Sequence, residues 1–253
     1  MLRKIYPPTN HHRTGYLLLK DNMNEETAED LMEKEAGYFI YNTMLLNNKL
    51  LHIPSSHLPR LEEYEHKNER FHLLERNAED HYRWIKELHG EIQAAFLKLP
   101  AKKLPYGNSR LSLYISSIRN AMHAAKSIKD ITDNISQLSR SSKTLKFDFF
   151  TSFQLQTDQL NKTLADWLQS DNKPGYDKIL SSSKEIEANY TQLLNRFYLE
   201  ASGTQLSEIE ITTLINFSRE CFSANRSILM ALKDIILNEE EAIKFNDEPS
   251  FIS

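Results

Sequence analysis

Leu111, Ile115, Ile118, Met122, Ala125, Ile128, Ile131, Ile135 and Leu138 recur every three or four residues along one stretch of the chain. That spacing draws a single apolar stripe on an α-helix, and such a helix must bury its stripe against neighbours. The chain contains no valine and only six glycines in 253 residues, so it lacks a residue that strands favour. Leu, Ile, Lys, Glu, Gln and Asn dominate instead, which favours helices. A single cysteine excludes an internal disulfide and a thiolate metal cluster, and suits a reducing compartment. A formal charge of -4 argues against a nucleic-acid binder, so no nucleic-acid partner is expected.

Pro54, Pro59, Pro100, Pro105, Gly107, Pro174, Gly175 and Gly203 separate stretches with helical spacing. The pattern predicts six helices, at about 25–51, 60–99, 108–140, 144–169, 175–201 and 207–238. Thr27 and Asp30 have the spacing of a capping box, and Ser207 with Glu210 repeats it at the last helix. The third and sixth helices also echo one another. Arg119, Ala124, Ser127, Ile128 and Ile135 match Arg219, Ala224, Ser227, Ile228 and Ile235, each 100 residues on, and Lys126 and Arg226 are both basic. Helical sequences resemble one another by period alone, yet a gapless register suits a tandem of two units.

The expected fold class is therefore all-α, with six long helices as two tandem three-helix bundles. The expected divisions are an extension at 1–24, units at 25–141 and 142–238, and a tail at 239–253. No window approaches the ~18 apolar residues that span a bilayer. The N-terminus lacks the apolar core of a secretory signal. The chain reads as soluble, and a soluble piece of a larger membrane protein stays open.

No catalytic constellation stands out. There is no glycine-rich phosphate loop, G-x-S-x-G, H-E-x-x-H or C-x-x-C, so no enzyme activity and no cofactor are expected. Cys221 beside Phe222 reads as a small buried thiol. His66, His72, His81 and His89 lie among acids on the second helix without sharing one tight face, which suits a solvated surface; Glu62 and His66 could form a metal pair. Asp130 and Asp133 could share a cation, but Lys126 and Lys129, one turn earlier, suit ion pairs with them better. Ser218 and Asn225 interrupt the sixth apolar stripe and suit polar contacts that fix helix register.

Charge is unevenly spread. Lys98 to Lys146 holds ten Lys or Arg against Asp130 and Asp133, while Glu200 to Ser253 holds ten acids against Arg219, Arg226, Lys233 and Lys244. Two solvated surfaces, mutual attraction of the two units, or a basic face toward anionic lipid would each account for this. Arg119, Lys126, Arg219 and Arg226 form a candidate anion-facing set, since seven residues return each pair to one helix face; ion pairs within the bundle explain them equally well.

Two segments resemble a known family. Ala124-Ala-Lys-Ser-Ile-Lys-Asp-Ile-Thr-Asp-Asn-Ile135 is similar to a stretch of the PhoU-like cytoplasmic domains of bacterial sodium/phosphate cotransporters. Leu206 to Glu220, continuing to Ala231-Leu-Lys-Asp-Ile235, resembles a second such stretch; Asn216, Arg219, Glu220 and Ala231 to Asp234 fit it, while Ile215 and Ser218 depart. Tyr82 to Leu99 resembles the family's second helix. The resemblance implies two tandem three-helix units and an accessory or regulatory role in sodium-dependent phosphate transport. It places the domain in the cytoplasm, at the inner face of the plasma membrane. Its implied partner is a membrane-embedded phosphate transporter segment, in the same or a separate chain, and a homodimer stays open. Stand-alone members bind metal clusters through acidic E/D-x-x-x-D motifs. Here Asp130 is followed by Asn134 and Asp234 by Asn238, so no metal ligands are expected. The alternative is a free-standing helical scaffold with no link to phosphate.

Overall fold

A computed structural model describes residues 25–59, 76–97, 110–201 and 206–248, the side chains of 25–28 excepted. The expected cap at Thr27, the Glu62–His66 pair, His72 and the cationic residues Lys98, Lys102 and Lys103 lie outside the described residues. The described residues form eight α-helices and no strand. They are α1 (Glu25–Leu50), α2 (Ala78–Leu97), α3 (Arg110–Asp130), α4 (Thr132–Ser139), α5 (Thr144–Gln169), α6 (Tyr176–Ala201), α7 (Glu208–Ile236) and α8 (Glu239–Asn246). None of them is long and apolar enough to cross a membrane.

Local chemistry explains where these helices depart from the spacing pattern. The described part of the second expected helix starts only at Ala78, because Asn77 Oδ1 accepts the Asp80 amide at 2.8 Å and caps a new N-terminus. The third expected helix divides at Ile131, whose φ of -104° and ψ of 17° leave the helical region. There the Thr132 hydroxyl donates to the Lys129 carbonyl at 2.6 Å, competing with the backbone ladder. The region read as a C-terminal tail contains α8. Leu237 is extended, and Asn238 and Glu241 then form a reciprocal cap that restarts the helix. The Ser207–Glu210 capping box forms as the spacing predicts.

Helix α1 lies at the centre. Every residue from Glu35 to Asn48 is buried, and α1 packs against α2, α3, α5 and α7. A helix with no solvated face is a core helix. The most extensive packing joins α3 to α7. Its buried positions are largely small: Ser117, Ala121, Ala124, Ala125 and Ser127 on α3, and Ser218, Cys221, Ala224 and Ala231 on α7. Short side chains let two helix backbones approach closely. Helices α1, α2 and α3 pack on one another, as do α5, α6 and α7. The second group shares an aromatic cluster, with Phe153 5.2 Å from Phe149 and 5.5 Å from Phe217 between ring centres.

His81 corrects the expectation of a solvated histidine face. It is 1% exposed on α2, packs near Trp84, and neither ring nitrogen has a partner among the described residues. Burial, with the charges of Lys49 and Arg76 next, pushes its pKa down to about 3. His89 is half-buried and is also held low, by burial and then by Arg119.

A neutral buried His81 makes the fold sensitive to mild acid. The unfolded chain takes up the His81 proton near pH 6.5, and the folded chain resists it down to about 3. Stability is therefore full above that range and falls as pH drops through it, by up to about 1.4 kcal/mol per pH unit from this residue. Urea unfolding at pH 7 and pH 5 should show about 2 kcal/mol less stability at the lower pH. His81→Leu should flatten that difference, and equal slopes in both proteins would refute a neutral buried imidazole.

Candidate functional site

The α3–α7 crossing carries the matched residues of the two helices. His123 Nδ1 hydrogen-bonds Ser227 Oγ at 3.0 Å, and Ser127 Oγ reaches Ser223 Oγ at 3.5 Å, the outer limit of such a bond. A shift of 100 residues carries 123 onto 223 and 127 onto 227, so it exchanges these two contacts. Both centre the antiparallel crossing on Ala125 and Asn225.

Polar groups brace the crossing further along. Lys233 and Asp234 are buried at 1% and 2% exposure and lie 2.5 Å apart. Lys233 Nζ donates to Asn246 Oδ1 at 2.9 Å and lies 5.6 Å from the centre of the Phe245 ring, so it ties α8 to α7. Asp234 accepts from Asn120 Nδ2 at 3.3 Å. Burial raises its carboxyl pKa although Lys233, Ser116 and Asn120 all act to lower it. Arg110 donates to the carbonyls of Leu237 and, at 2.7 Å, Ile235. This caps the C-terminus of α7 with a cation. Its Nε donates to the Tyr114 hydroxyl at 2.9 Å, which donates to Glu33 at 2.8 Å, so one polar chain links α1, α3 and α7.

The four candidate basic residues are not brought to one place. Arg119, Lys126 and Arg219 are exposed and Arg226 is half-buried. Lys126 and Arg226 each lie one residue from the centre of the crossing. Arg119 and Arg219 sit six residues before it in opposed helices, about 18 Å apart along the axis. Arg119 faces the His89 side and Arg219 the Tyr190 side, where each adds its charge to the neighbour's environment. Arg219 is engaged on its own helix, by Asn216 Oδ1 at 2.8 Å and the Glu220 carboxylate at 3.1 Å.

Other expectations resolve individually. Lys129 pairs with Glu79 of α2 at 2.8 Å. The expected pairs to Asp130 and Asp133 are absent from the described residues, because a partner on the next helix intercepts Lys129. Cys221 is fully buried and burial raises its thiol pKa well above the usual value. Ser218 donates to its own helix at Ile215, and Asn225 accepts from Thr157 at 3.2 Å. The structure adds contacts with no sequence motif: Asn161 Nδ2 to Asn48 Oδ1 at 2.7 Å, and Asp158 between His57 at 3.1 Å and Lys162 at 2.8 Å. Only burial made them informative. Among the described residues no group of three or more His, Cys, Asp or Glu is placed to hold a metal ion.

No family model, curated protein or solved structure matches the chain at a significant level.

Two outcomes follow from this geometry. Lys233→Met leaves Asp234 buried without its cation and should cost about 3–5 kcal/mol in urea unfolding, part of which Lys233→Met with Asp234→Leu should restore. Because Arg119 and Arg219 lie far apart, Arg119→Gln with Arg219→Gln should leave the affinity of the purified chain for inorganic phosphate unchanged by calorimetry. Loss of phosphate binding in that double variant would place an anion site on this face.

Proposed function

We propose that the chain is a PhoU-like helical domain of two tandem three-helix units, 25–141 and 142–238, that serves sodium-dependent phosphate transport as an accessory or regulatory element. The observation that carries the repeat is the pair of contacts at the α3–α7 crossing, His123–Ser227 and Ser127–Ser223, which exchange under the 100-residue shift. Such exchange is the signature of a two-fold relation between equivalent helices. Two further observations support it. Helices α1 to α3 pack among themselves, and so do α5 to α7. Arg119 influences His89 on α2, and Arg219 influences Tyr190 on α6, so matched arginines face matched helices.

The transport role rests on the resemblance of Ala124–Ile135 and Leu206–Ile235 to the cytoplasmic domains of sodium/phosphate cotransporters. Exposed Arg119, Lys126 and Arg140 add cationic groups suited to the anionic inner face of a membrane. The partner in this reading is a membrane-embedded phosphate transporter segment.

Deleting the coding segment should change sodium-dependent uptake of radiolabelled phosphate in intact cells. An affinity-tagged chain should recover the transporter from solubilised membranes. Unchanged uptake, together with a pull-down that recovers only non-membrane proteins, would support a scaffold instead and end the transport reading.

A further inference from the structure

Helix α6 is held at its two ends and bridges a polar gap between them. Its buried residues are Ile179 and Ser183 near one end and Leu193 and Phe197 near the other. Tyr176 packs on Phe245 with ring centres 5.9 Å apart, and Phe197 packs on Phe149 at 5.3 Å. Between these anchors α6 faces α5 across a cleft of about 140 Å³.

The cleft walls are polar where a bundle interior is ordinarily apolar. Gln156 and Gln159 of α5 face Ser182 and Asn189 of α6, and none of these four side chains bonds to another protein group among the described residues. The floor combines the stacked rings of Tyr190 and Phe222, 4.4 Å apart, with Asn225 of α7. Asn225 is only 7% exposed. Its Oδ1 is held by Thr157 at 3.2 Å, while its Nδ2 is not sealed in the core and has no protein partner among the described residues. Leaving a nearly buried amide donor unpaired is costly. The matched positions of α3 carry no such group, since Asn225 corresponds to Ala125 and Phe222 to Met122.

We infer that this cleft binds an uncharged, ring-sized polyhydroxyl compound, a pentose or hexose monosaccharide. Its volume suits one six-membered ring, since a cavity of about 150 Å³ admits benzene. Amides and hydroxyls both donate and accept, as sugar hydroxyls do. The rim carries Lys178 and Glu185, one charge of each sign, so it selects neither an anion nor a cation. The polar groups on the two walls span about 10 Å of helix and meet substituents projecting around a saturated ring. A flat nucleobase presents its groups in one plane. One face of each floor aromatic is already taken by the other, leaving a patch suited to sugar C–H groups. This site is separate from the transport reading and stands or falls without it.

The full chain should show saturation-transfer NMR signals from D-glucose or D-ribose at ~10 mM, in the weak affinity range expected of so small a ligand. Asn225→Ala, which copies the residue at Ala125, should weaken that binding at least about tenfold. Gln156→Leu, at the half-buried rim, should weaken it similarly, and supplies the test if Asn225→Ala fails to fold. Absence of transfer to both sugars, transfer to uracil in their place, or sugar binding unchanged in a folded variant would each overturn the assignment.

Discussion

The architecture depends on the close antiparallel contact of α3 and α7. Ser117, Ala121, Ala124 and Ala125 on one helix, and Ser218, Cys221, Ala224 and Ala231 on the other, are buried. With short side chains on both sides the backbones come near enough for serine hydroxyls and an imidazole to bond across the seam. A larger residue at Ala124 or Ala224 would have to push the helices apart, because interiors packed at crystal density have no slack to absorb it. Both three-helix groups are held on this pair, so their relative placement follows from it.

Around that contact the molecule buries an unusual amount of polarity. Helix α1 runs through the centre with Glu35, Asn42, Thr43, Asn47 and Asn48 all buried. Some of these groups join elements, as Asn48 does with Asn161 of α5. Lys233 and Asp234 do the same for α7, α8 and α3. Groups of this kind contribute little net stability but penalise every arrangement that leaves them unpaired. They therefore favour one register among the many that helices of similar period could adopt.

The candidate site was legible in part. Arg119, Lys126, Arg219 and Arg226 were identifiable because helical spacing fixes which residues share a face. Whether two such faces converge depends on helix direction. The antiparallel crossing sends Arg119 and Arg219 apart and keeps Lys126 and Arg226 near its centre. Asn225 was visible as a polar interruption of an apolar stripe, and its tie to Thr157 explains one of its atoms. The cleft before its other atom could not be foreseen, because it arises where α6 is anchored only at its ends.

Periodicity was enough to establish a helical chain, the α3 stripe, the start of α7 at Ser207 and the burial of Cys221. These depend on interactions within a few residues, so the local sequence contains all the necessary information. The division at Ile131, the helix within the expected tail and the burial of His81 were decided otherwise. A threonine hydroxyl, an asparagine cap and a neighbouring tryptophan each outweighed the local helical preference or the polarity of a side chain. The Lys129–Glu79 pair and the Lys233–Asp234 pair belong to the same class, since a charge takes whichever partner the packed neighbours bring closest. Burial and helix direction arise only when the whole chain is assembled, and these two quantities separated what the sequence alone determined from what the tertiary structure decided.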